Sequence, residues 1–296
     1  MQPFADRLTN SIRARNSRCI VGLDPRIDQM PAFIARDSAC AAIIEFHKIV
    51  LEAVVDLVPA VKPQLAFYEQ YGIAGMQALE NTIRAAKERG LIVIADGKRN
   101  DISSTAEAYA NAYLGAGGFD CDALTVTPYL GRDSLLPFVD ACRKNGKGLF
   151  VVLKTSNPGS KDFEDQPLES TGRPLYETIG GVISELGDGL LGESGYSSVG
   201  AVIGATFPEE GRRLRHLMPR AVILVPGYGA QGGSAKAAAE CFNDDGLGAI
   251  VSSSRGITYD FGDPGISRDA FVSLVREKTR RMIDEVNAAV KSSVAA

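Results

Sequence analysis

The alternation of apolar runs with amphipathic segments predicts an α/β fold, in which eight parallel strands, each followed by a helix, close into a single (β/α)8 TIM barrel. The 296 residues contain eight short apolar runs, and helix-like segments separate them. The first run ends in GLDPR (22–26), whereas an open doubly wound sheet, the main competing architecture, normally shows G-x-G-x-x-G at that place. We therefore expect one barrel domain spanning residues 1–296.

The predicted strands are apolar runs rich in β-branched residues, and each is closed by a polar or glycine-rich turn. In chain order they span 19–24, 60–64, 91–98, 123–129, 149–156, 199–205, 221–229 and 248–256. The predicted helices carry apolar residues at intervals of three and four, which is the helical period. They span 38–57, 75–89, 103–114, 133–145, 174–186, 208–217, 234–242 and 268–290.

Three segments fall outside this alternation. Phe4, Leu8 and Ile12 are spaced as on one face of a helix, which predicts a short N-terminal helix packed on the barrel. Residues 157–173, after the fifth strand, form a long polar loop rich in Gly and Pro, typical of a functional lid or of local disorder. Residues 186–198 are rich in Gly and Ser and predict an irregular connection.

Composition and charge argue against several classes of protein. A net charge of −4 without a basic block disfavours a nucleic-acid partner. The N-terminus lacks the apolar stretch of a secretory signal and no apolar run approaches membrane-spanning length, so we expect a soluble, cytoplasmic protein without a membrane partner. The five widely spaced cysteines are typical of free thiols in a reducing compartment. His47 and His216 lie on separate helical segments and predict packing or surface histidines rather than a metal site.

Polar side chains collect at the predicted carboxyl ends of the strands, the face on which barrel enzymes carry their active site. They are Asp24, Lys62, Asp96, Lys98, Asp101, Thr127, Ser156, Asn157, Gln231, Ser254 and Arg255. Histidine and cysteine are absent from this set. The composition therefore argues against a histidine-activated nucleophile and against a zinc site.

The turns after the last two strands predict a phosphate site. The glycine-rich loop PGYGAQGG (226–233) leads into a helix, so its backbone N–H groups can face an anion. SSSRG (252–256) brings Arg255 to the same side, and the loops after strands seven and eight form the recurring phosphate site of these barrels. The simpler alternative is a pair of tight turns with a surface arginine.

The most informative local pattern is VIADGKRNDISST (93–105), where an apolar strand runs into Asp96, Lys98 and Asp101. Residues two apart in a strand point the same way, so Asp96 and Lys98 should share a pocket. Lys62 ends the neighbouring strand and should join them in an alternating Lys–Asp–Lys–Asp array that keeps each group charged. A structural ion-pair network at the barrel mouth would show the same residues, but the phosphate site opposite favours a catalytic role.

Taken together, the motifs resemble those of the orotidine 5′-phosphate decarboxylase family. D-G-K-R-N-D-I (96–102) matches the family's D-x-K-x-x-D signature in the form of its second, longer bacterial subgroup, in which arginine follows the lysine. The likeness continues at GLD (22–24), VKP (61–63), TSNPG (155–159), PGYGAQGG (226–233) and SSRG (253–256). It implies conversion of orotidine 5′-phosphate to UMP and CO2, the last step of de novo pyrimidine synthesis, without a metal or organic cofactor.

The resemblance also implies a role for each site residue. Lys98 resembles the general acid that protonates C6 of the substrate, and Asp96 resembles the carboxylate that faces the substrate's own carboxylate. Lys62 and Asp24 match the array and ribose-binding positions. The remaining substrate-binding positions are Ser156 at the pyrimidine, Gln231 and Arg255 at the phosphate, and Asn157, Pro226 and Ser254 beside them.

A second group of matching residues implies an assembly. Asp101, Ile102 and Thr105 match residues that enter the site of the neighbouring subunit, so the resemblance implies an obligate homodimer with shared active sites. The chain departs from the family pattern in two places. Ser103 stands where many members carry proline, which affects the start of the helix, and the loop 157–173 is longer than in compact members.

Three other functions are compatible with parts of the pattern. The Mg²⁺-dependent sugar-phosphate aldolases and decarboxylases share D-x-K-x-x-D but carry a glutamate metal ligand at the end of the second strand, where this chain has Lys62. A Schiff-base aldolase would use Lys62, Lys98 or Lys154 and needs a lysine that can lose its proton, which the flanking aspartates oppose. A non-catalytic nucleotide-phosphate sensor would have no need of the charged array.

Overall fold

The eight predicted strands form a closed barrel in the computed structural model, which describes residues 1–229 and 232–294. Neighbouring strands are parallel and follow chain order, and the last strand pairs with the first, where Cys19 is in register with Val251. The (β/α)8 fold predicted from the sequence is therefore confirmed. The strands are β1 (Cys19–Leu23), β2 (Ala60–Pro63), β3 (Ile92–Arg99), β4 (Ala123–Val126), β5 (Gly148–Lys154), β6 (Ser197–Ile203), β7 (Ala221–Val225) and β8 (Ala249–Ser253).

Helices precede, connect and follow the strands. They are α1 (Phe4–Arg15), α2 (Ala39–Val54), α3 (Leu65–Glu69), α4 (Gly72–Glu88), α5 (Ser103–Leu114), α6 (Arg132–Asn145), α7 (Leu175–Asp188), α8 (Pro208–Leu217), α9 (Ala235–Ala239), α10 (Arg255–Thr258) and α11 (Arg268–Val294). α5 and α8 have the predicted bounds, whereas α9 ends before the predicted Phe242. α3, α10 and the 3-10 turns at Ile27–Gln29 and Pro158–Asp162 were not predicted, because one or two helical turns are too short to show a helical period.

Two connections differ from the irregular structure that the sequence predicted. The connection 186–198 is shorter than expected, and the loop 157–173 is more ordered. α7 and β6 extend into the stretch 186–198, so that only 189–196 remain outside them. The long loop 157–173 contains backbone hydrogen bonds of its own, such as that from Leu168 N–H to Arg173 O (2.9 Å). The loop is therefore a folded segment, and the expectation of local disorder was wrong.

β3 departs from regular strand geometry at its carboxyl end. Its register with β4 shifts between Ala95 and Arg99, and Lys98 has a φ of +45°. A regular strand would have placed Asp96 and Lys98 on one face by simple alternation. Asp96 and Lys98 do share one cavity and are in contact, as predicted, although the backbone at Lys98 is left-handed rather than extended.

α1 closes the amino-terminal end of the barrel. Phe4, Leu8 and Ile12 belong to the cluster of apolar side chains that fills the barrel interior, and the ring of Phe4 meets the ring of Phe150 edge to face at 5.8 Å. Gly148 leaves room for this contact, since a Cβ at that position would lie 2.3 Å from the Phe4 ring. The predicted N-terminal helix is confirmed, and burial of its apolar face leaves the opposite mouth of the barrel free.

A second apolar layer lies between the strands and the helices, and it contains His47. The Nδ1 atom of His47 lies 3.0 Å from Tyr68 Oη and 3.4 Å from Thr82 Oγ1. Burial lowers the pKa of His47 to about 3, so the ring is neutral at physiological pH. His216 lies exposed on α8, so both histidines have the packing or surface position that the sequence predicted.

Two further properties concern the whole described chain. All five cysteines are free, and four of them are buried. Among the helices of residues 1–229 and 232–294, none is long and apolar enough to cross a membrane.

Candidate active site

A cavity of about 790 Å³ opens at the carboxyl ends of the strands. Barrel enzymes carry their active site on this face. The lining residues come from the carboxyl-terminal parts of β1, β2, β3, β5, β6, β7 and β8 or from the turns that follow them. They include nine of the site residues predicted from the sequence, namely Asp24, Lys62, Asp96, Lys98, Ser156, Asn157, Pro226, Ser254 and Arg255.

Asp96 is the centre of the charged part of this cavity. Lys62 Nζ and Gln64 Nε2 donate to its Oδ2 over 2.6 and 2.9 Å. Lys98 Nζ and Thr125 Oγ1 donate to its Oδ1 over 2.7 and 2.9 Å. Each carboxylate oxygen therefore accepts one hydrogen bond from a cation and one from a neutral group, and the Lys–Asp–Lys part of the array lies within one chain.

Both members of the buried Lys62–Asp96 pair are ionised. Burial by itself would raise the pKa of Asp96, but the charges of Lys62 and Lys98 and the hydrogen bonds from both hold it well below its usual value. Burial by itself would lower the pKa of Lys62, but the charges of Asp96 and Asp24 raise it above its usual value. Lys62 therefore keeps its proton, which a Schiff-base nucleophile must lose.

The lowered pKa of Asp96 predicts an acid-dependent stability. Asp96 stabilises the fold fully above its ordinary pKa of about 3.9, and this contribution is lost as the pH falls through the lowered folded value. For Asp96→Asn we expect the free energy of unfolding to fall by about 3–5 kcal/mol near neutral pH, because two ammonium groups lose their charged partner. Urea unfolding of the wild type and of Asp96→Asn should be measured from pH 3 to 7. The difference between their free energies of unfolding should become smaller below about pH 4. A difference independent of pH would contradict this assignment.

The two lysines differ in their access to the cavity. The side chain of Lys62 is 8% exposed and that of Lys98 is 44% exposed, although both contact Asp96. Both lysines line the cavity, but Lys62 is largely covered by protein, whereas Lys98 is much more exposed, with Asp96 next to its ammonium. A general acid requires this combination of access and fixed position.

β1 and β8 place a second carboxylate in the cavity. Ser254 Oγ donates to Asp24 Oδ2 over 2.6 Å. Asp24 Oδ1 is buried and has no hydrogen-bond partner among the described residues. Because Asp24 lines the cavity, this oxygen can accept a hydrogen bond from a bound hydroxyl group.

The turn 155–157, after β5, forms another wall of the cavity, and its Ser156 and Asn157 are among the lining residues. Glu164, from the long loop, holds this turn in place. Its Oε2 accepts the N–H of Thr155 over 3.0 Å, and its Oε1 lies 2.6 Å from Thr155 Oγ1. The long loop therefore shapes the cavity through a carboxylate that the sequence analysis did not single out.

The loops after β7 and β8 both reach the cavity. Pro226 and Tyr228 line it from the first loop and Arg255 from the second, so the predicted anion-binding elements are next to each other. Gln231, a predicted phosphate contact, lies outside the described residues. Three glycines give the first loop its tight turns, because L side chains rarely adopt a positive φ. They are Gly227 (+93°), Gly229 (+72°) and Gly232 (+87°).

Asp101, Ile102 and Thr105 lie outside the lining of this chain's own cavity. Asp101 Oδ1 accepts the N–H of Ile102 over 2.8 Å, and the side chains of Ile102 and Thr105 are exposed. Ser103 has a φ of +49°, which proline cannot adopt because its ring holds φ at about −65°. The fourth member of the predicted array is thus absent from the cavity formed by residues 1–229 and 232–294.

Sequence reasoning missed further residues of the site besides Glu164, among them Gln64, Thr125, Arg26 and Phe67. Gln64 comes directly after β2, two positions beyond Lys62, so continuing the strand's period of two could have identified it. Thr125 lies within β4 rather than at its end, and its contact depends on how β3 and β4 are paired, which no local pattern shows. Arg26 and Phe67 also line the cavity, with the guanidinium 4.7 Å from the ring centroid.

A closed (β/α)8 barrel with a charged site at the carboxyl ends of its strands defines a TIM-barrel enzyme. A sequence model of the family described as "Orotidine 5'-phosphate decarboxylase / HUMPS family" matches residues 17–265. The chain belongs to this family, and the resemblance seen in its strand-end motifs is confirmed.

Individual relatives agree with this assignment. The chain is 48% identical over 271 residues to the orotidine 5′-phosphate decarboxylase of Rhodopirellula baltica, covering 88% of this chain and 89% of the relative. It is 44% identical over 273 residues to that of Deinococcus radiodurans, covering 92% and 95%. The solved structure of Leishmania donovani OMP decarboxylase superposes with a TM-score of 0.78 at 32% identity, covering 98% and 99%.

Proposed function

We propose that this chain catalyses the decarboxylation of orotidine 5′-phosphate to UMP and CO2 as a carboxy-lyase that needs no metal or organic cofactor. The observation that carries the proposal is the Asp96 carboxylate, which holds the ammonium of Lys98 at 2.7 Å on the open side of the cavity. The relatives described above bear the name of this activity, and the charged array provides the groups that the reaction requires.

The reaction breaks the bond between C6 of the pyrimidine and its carboxylate carbon. The electron pair of that bond stays on C6 and CO2 leaves, so negative charge develops at a carbon without an adjacent electron sink. The ammonium of Lys98 stabilises this charge and transfers a proton from Nζ to C6, which yields UMP. Asp96 and Lys62 hold the ammonium in place before the substrate binds, so little reorganisation is needed.

The other lining residues bind the parts of the substrate that do not react. In this proposal Asp24 and Lys62 contact the ribose, Ser156 the pyrimidine and Arg255 the phosphate, with Asn157, Pro226 and Ser254 beside them. Gln231 is proposed as a second phosphate contact from the sequence alone. Binding energy from the phosphate can order the loop after β7 and position the reacting carbon, although the phosphate takes no part in the chemistry.

We also propose a homodimer with shared active sites, in which Asp101, Ile102 and Thr105 reach the partner's cavity. This fits their position outside the lining of their own cavity. The segments after β3 and β4 also expose large apolar side chains, with Ile102 at 53%, Tyr129 at 85% and Leu130 at 46%. Apolar side chains of this size are typical of an interface core.

A Mg²⁺-dependent reaction on a sugar phosphate is the second candidate within the same family. Lys62 argues against it, because it stands where the Mg²⁺-dependent enzymes carry their glutamate metal ligand and its ammonium pairs with Asp96. Both oxygens of Asp96 already face a cation, so a divalent ion would meet two positive charges.

A Schiff-base mechanism has less support from the geometry. Lys154 is fully buried outside the cavity lining, and its Nζ donates to Asp165 over 2.5 Å. Lys62 keeps its proton, as described above. A cytoplasmic location is part of the proposal, and the five free cysteines support it because disulfides are rare in reducing compartments. We propose neither a nucleic-acid nor a membrane partner.

A decarboxylation assay tests the proposed function directly. Purified protein is mixed with orotidine 5′-phosphate in the presence of EDTA, and the loss of substrate absorbance is followed. We expect metal-free conversion to UMP at the same rate with and without EDTA. No turnover, combined with Mg²⁺-dependent activity on a pentulose or hexulose phosphate, would instead support the sugar-phosphate candidate.

A further inference from the structure

Thr125 is fully buried in β4, yet its hydroxyl contacts two residues of the site. It donates to Asp96 Oδ1 over 2.9 Å and accepts the backbone N–H of Lys98 over 2.9 Å. A hydroxyl has one proton and two lone pairs, so both hydrogen bonds can form at once. One oxygen atom therefore holds both the central carboxylate and the backbone of the residue that carries the exposed ammonium.

The backbone at Lys98 needs such a support. Its φ of +45° is a conformation that L residues rarely adopt, and it persists only where the surroundings impose it. The regular pairing of β3 with β4 is interrupted between Ala95 and Arg99, so the strand ladder does not impose it here. The hydroxyl of Thr125 takes the place of a backbone acceptor for the Lys98 N–H.

We infer that Thr125 is a positioning residue for the decarboxylation, an inference that rests on the function proposed above. Thr125 lies outside the cavity lining, so its role would be exerted through Asp96 and Lys98 rather than through contact with a bound substrate. It keeps the backbone of Lys98 left-handed and orients the Asp96 carboxylate, so that Lys98 Nζ projects into the cavity. Loss of the Thr125 hydroxyl should therefore lower kcat more than substrate affinity, because the residues proposed to contact the ribose and phosphate come from other strands.

The test compares Thr125→Val with Thr125→Ser in the full-length protein. Valine keeps the shape of threonine but removes the hydroxyl, and we expect kcat to fall roughly 10- to 100-fold while KM and the Kd of UMP stay near the wild-type values. Serine keeps the hydroxyl and should restore most of kcat. Thr279→Val is the matched control, because Thr279 is equally buried but donates only to Val275 O within α11. Its kcat should equal that of the wild type.

The outcomes separate this inference from the proposed function. If the wild type itself does not decarboxylate orotidine 5′-phosphate, the proposed function fails and the inference fails with it. If the wild type is active and Thr125→Val has wild-type kcat, or raises KM alone, only the positioning role is overturned. Should Thr125→Val not fold, Thr125→Ser is compared with Thr125→Cys, which has nearly the same size but a weak donor. Equal kcat values for serine and cysteine would also overturn the role.

Discussion

Lys98→Ala is expected to remove nearly all turnover while UMP still binds. The variant loses the proton donor and also the positive charge next to the developing carbanion, and together these effects should lower kcat by about 10⁴-fold or more. The residues proposed to bind ribose and phosphate remain, so calorimetry should still detect UMP binding. Substantial residual turnover would remove Lys98 from the role of general acid.

Lys98→Arg separates the charge of this residue from its proton. Arginine keeps a positive charge near Asp96, but its pKa is too high for it to act as a general acid. We expect it to be nearly as inactive as the alanine variant. If Lys98→Arg retained wild-type kcat, the positive charge alone would be sufficient for turnover, and Lys98 would not be the proton donor.

Mixing two inactive variants, Lys98→Ala and Asp101→Ala, is expected to restore activity. If each site combines Lys98 of one subunit with Asp101 of its partner, every mixed dimer contains one site without a mutation. Random exchange of equal amounts of the two variants makes half of the dimers mixed. Each mixed dimer has one intact site and one doubly mutated site, so about a quarter of wild-type activity should return. The measurement is the decarboxylation rate after subunit exchange, which is verified with differently tagged subunits.

A second mixture provides the control for shared sites. Lys98 and Asp96 contact each other within one chain, so mixing Lys98→Ala with Asp96→Ala leaves every site with one mutation. This mixture should stay inactive. Absence of recovery in the first mixture despite verified exchange, or equal recovery in both, would contradict the shared-site arrangement.

The order of strands and helices was predictable because it depends on local periodicity. All eight strands were located from their apolar runs, with differences of a few residues at their ends. The apolar spacing of Phe4, Leu8 and Ile12 indicated α1, but not that it closes one end of the barrel. α3 and α10 were missed because so few residues define no period.

The charged residues of the site were also predictable, since an ionisable group at the end of a buried strand stands out in the sequence. Asp96, Lys98 and Lys62 were identified in this way, and the structure places them in contact. Gln64 and Thr125, which complete the hydrogen bonds of Asp96, were not identified, because amides and hydroxyls are common at strand positions of every kind.

By itself, the sequence determined the barrel, the strand ends that carry charge and the family. Only the tertiary structure decided which neutral donors contact Asp96, that the backbone at Lys98 is left-handed, and which of the two lysines is more exposed in the cavity. The physical reason is that side-chain alternation is a property of one strand, whereas a contact between strands depends on their register and on the closure of the barrel. Thr125 meets Asp96 and Lys98 because β4 lies beside an irregular β3, and no spacing within either strand contains that information.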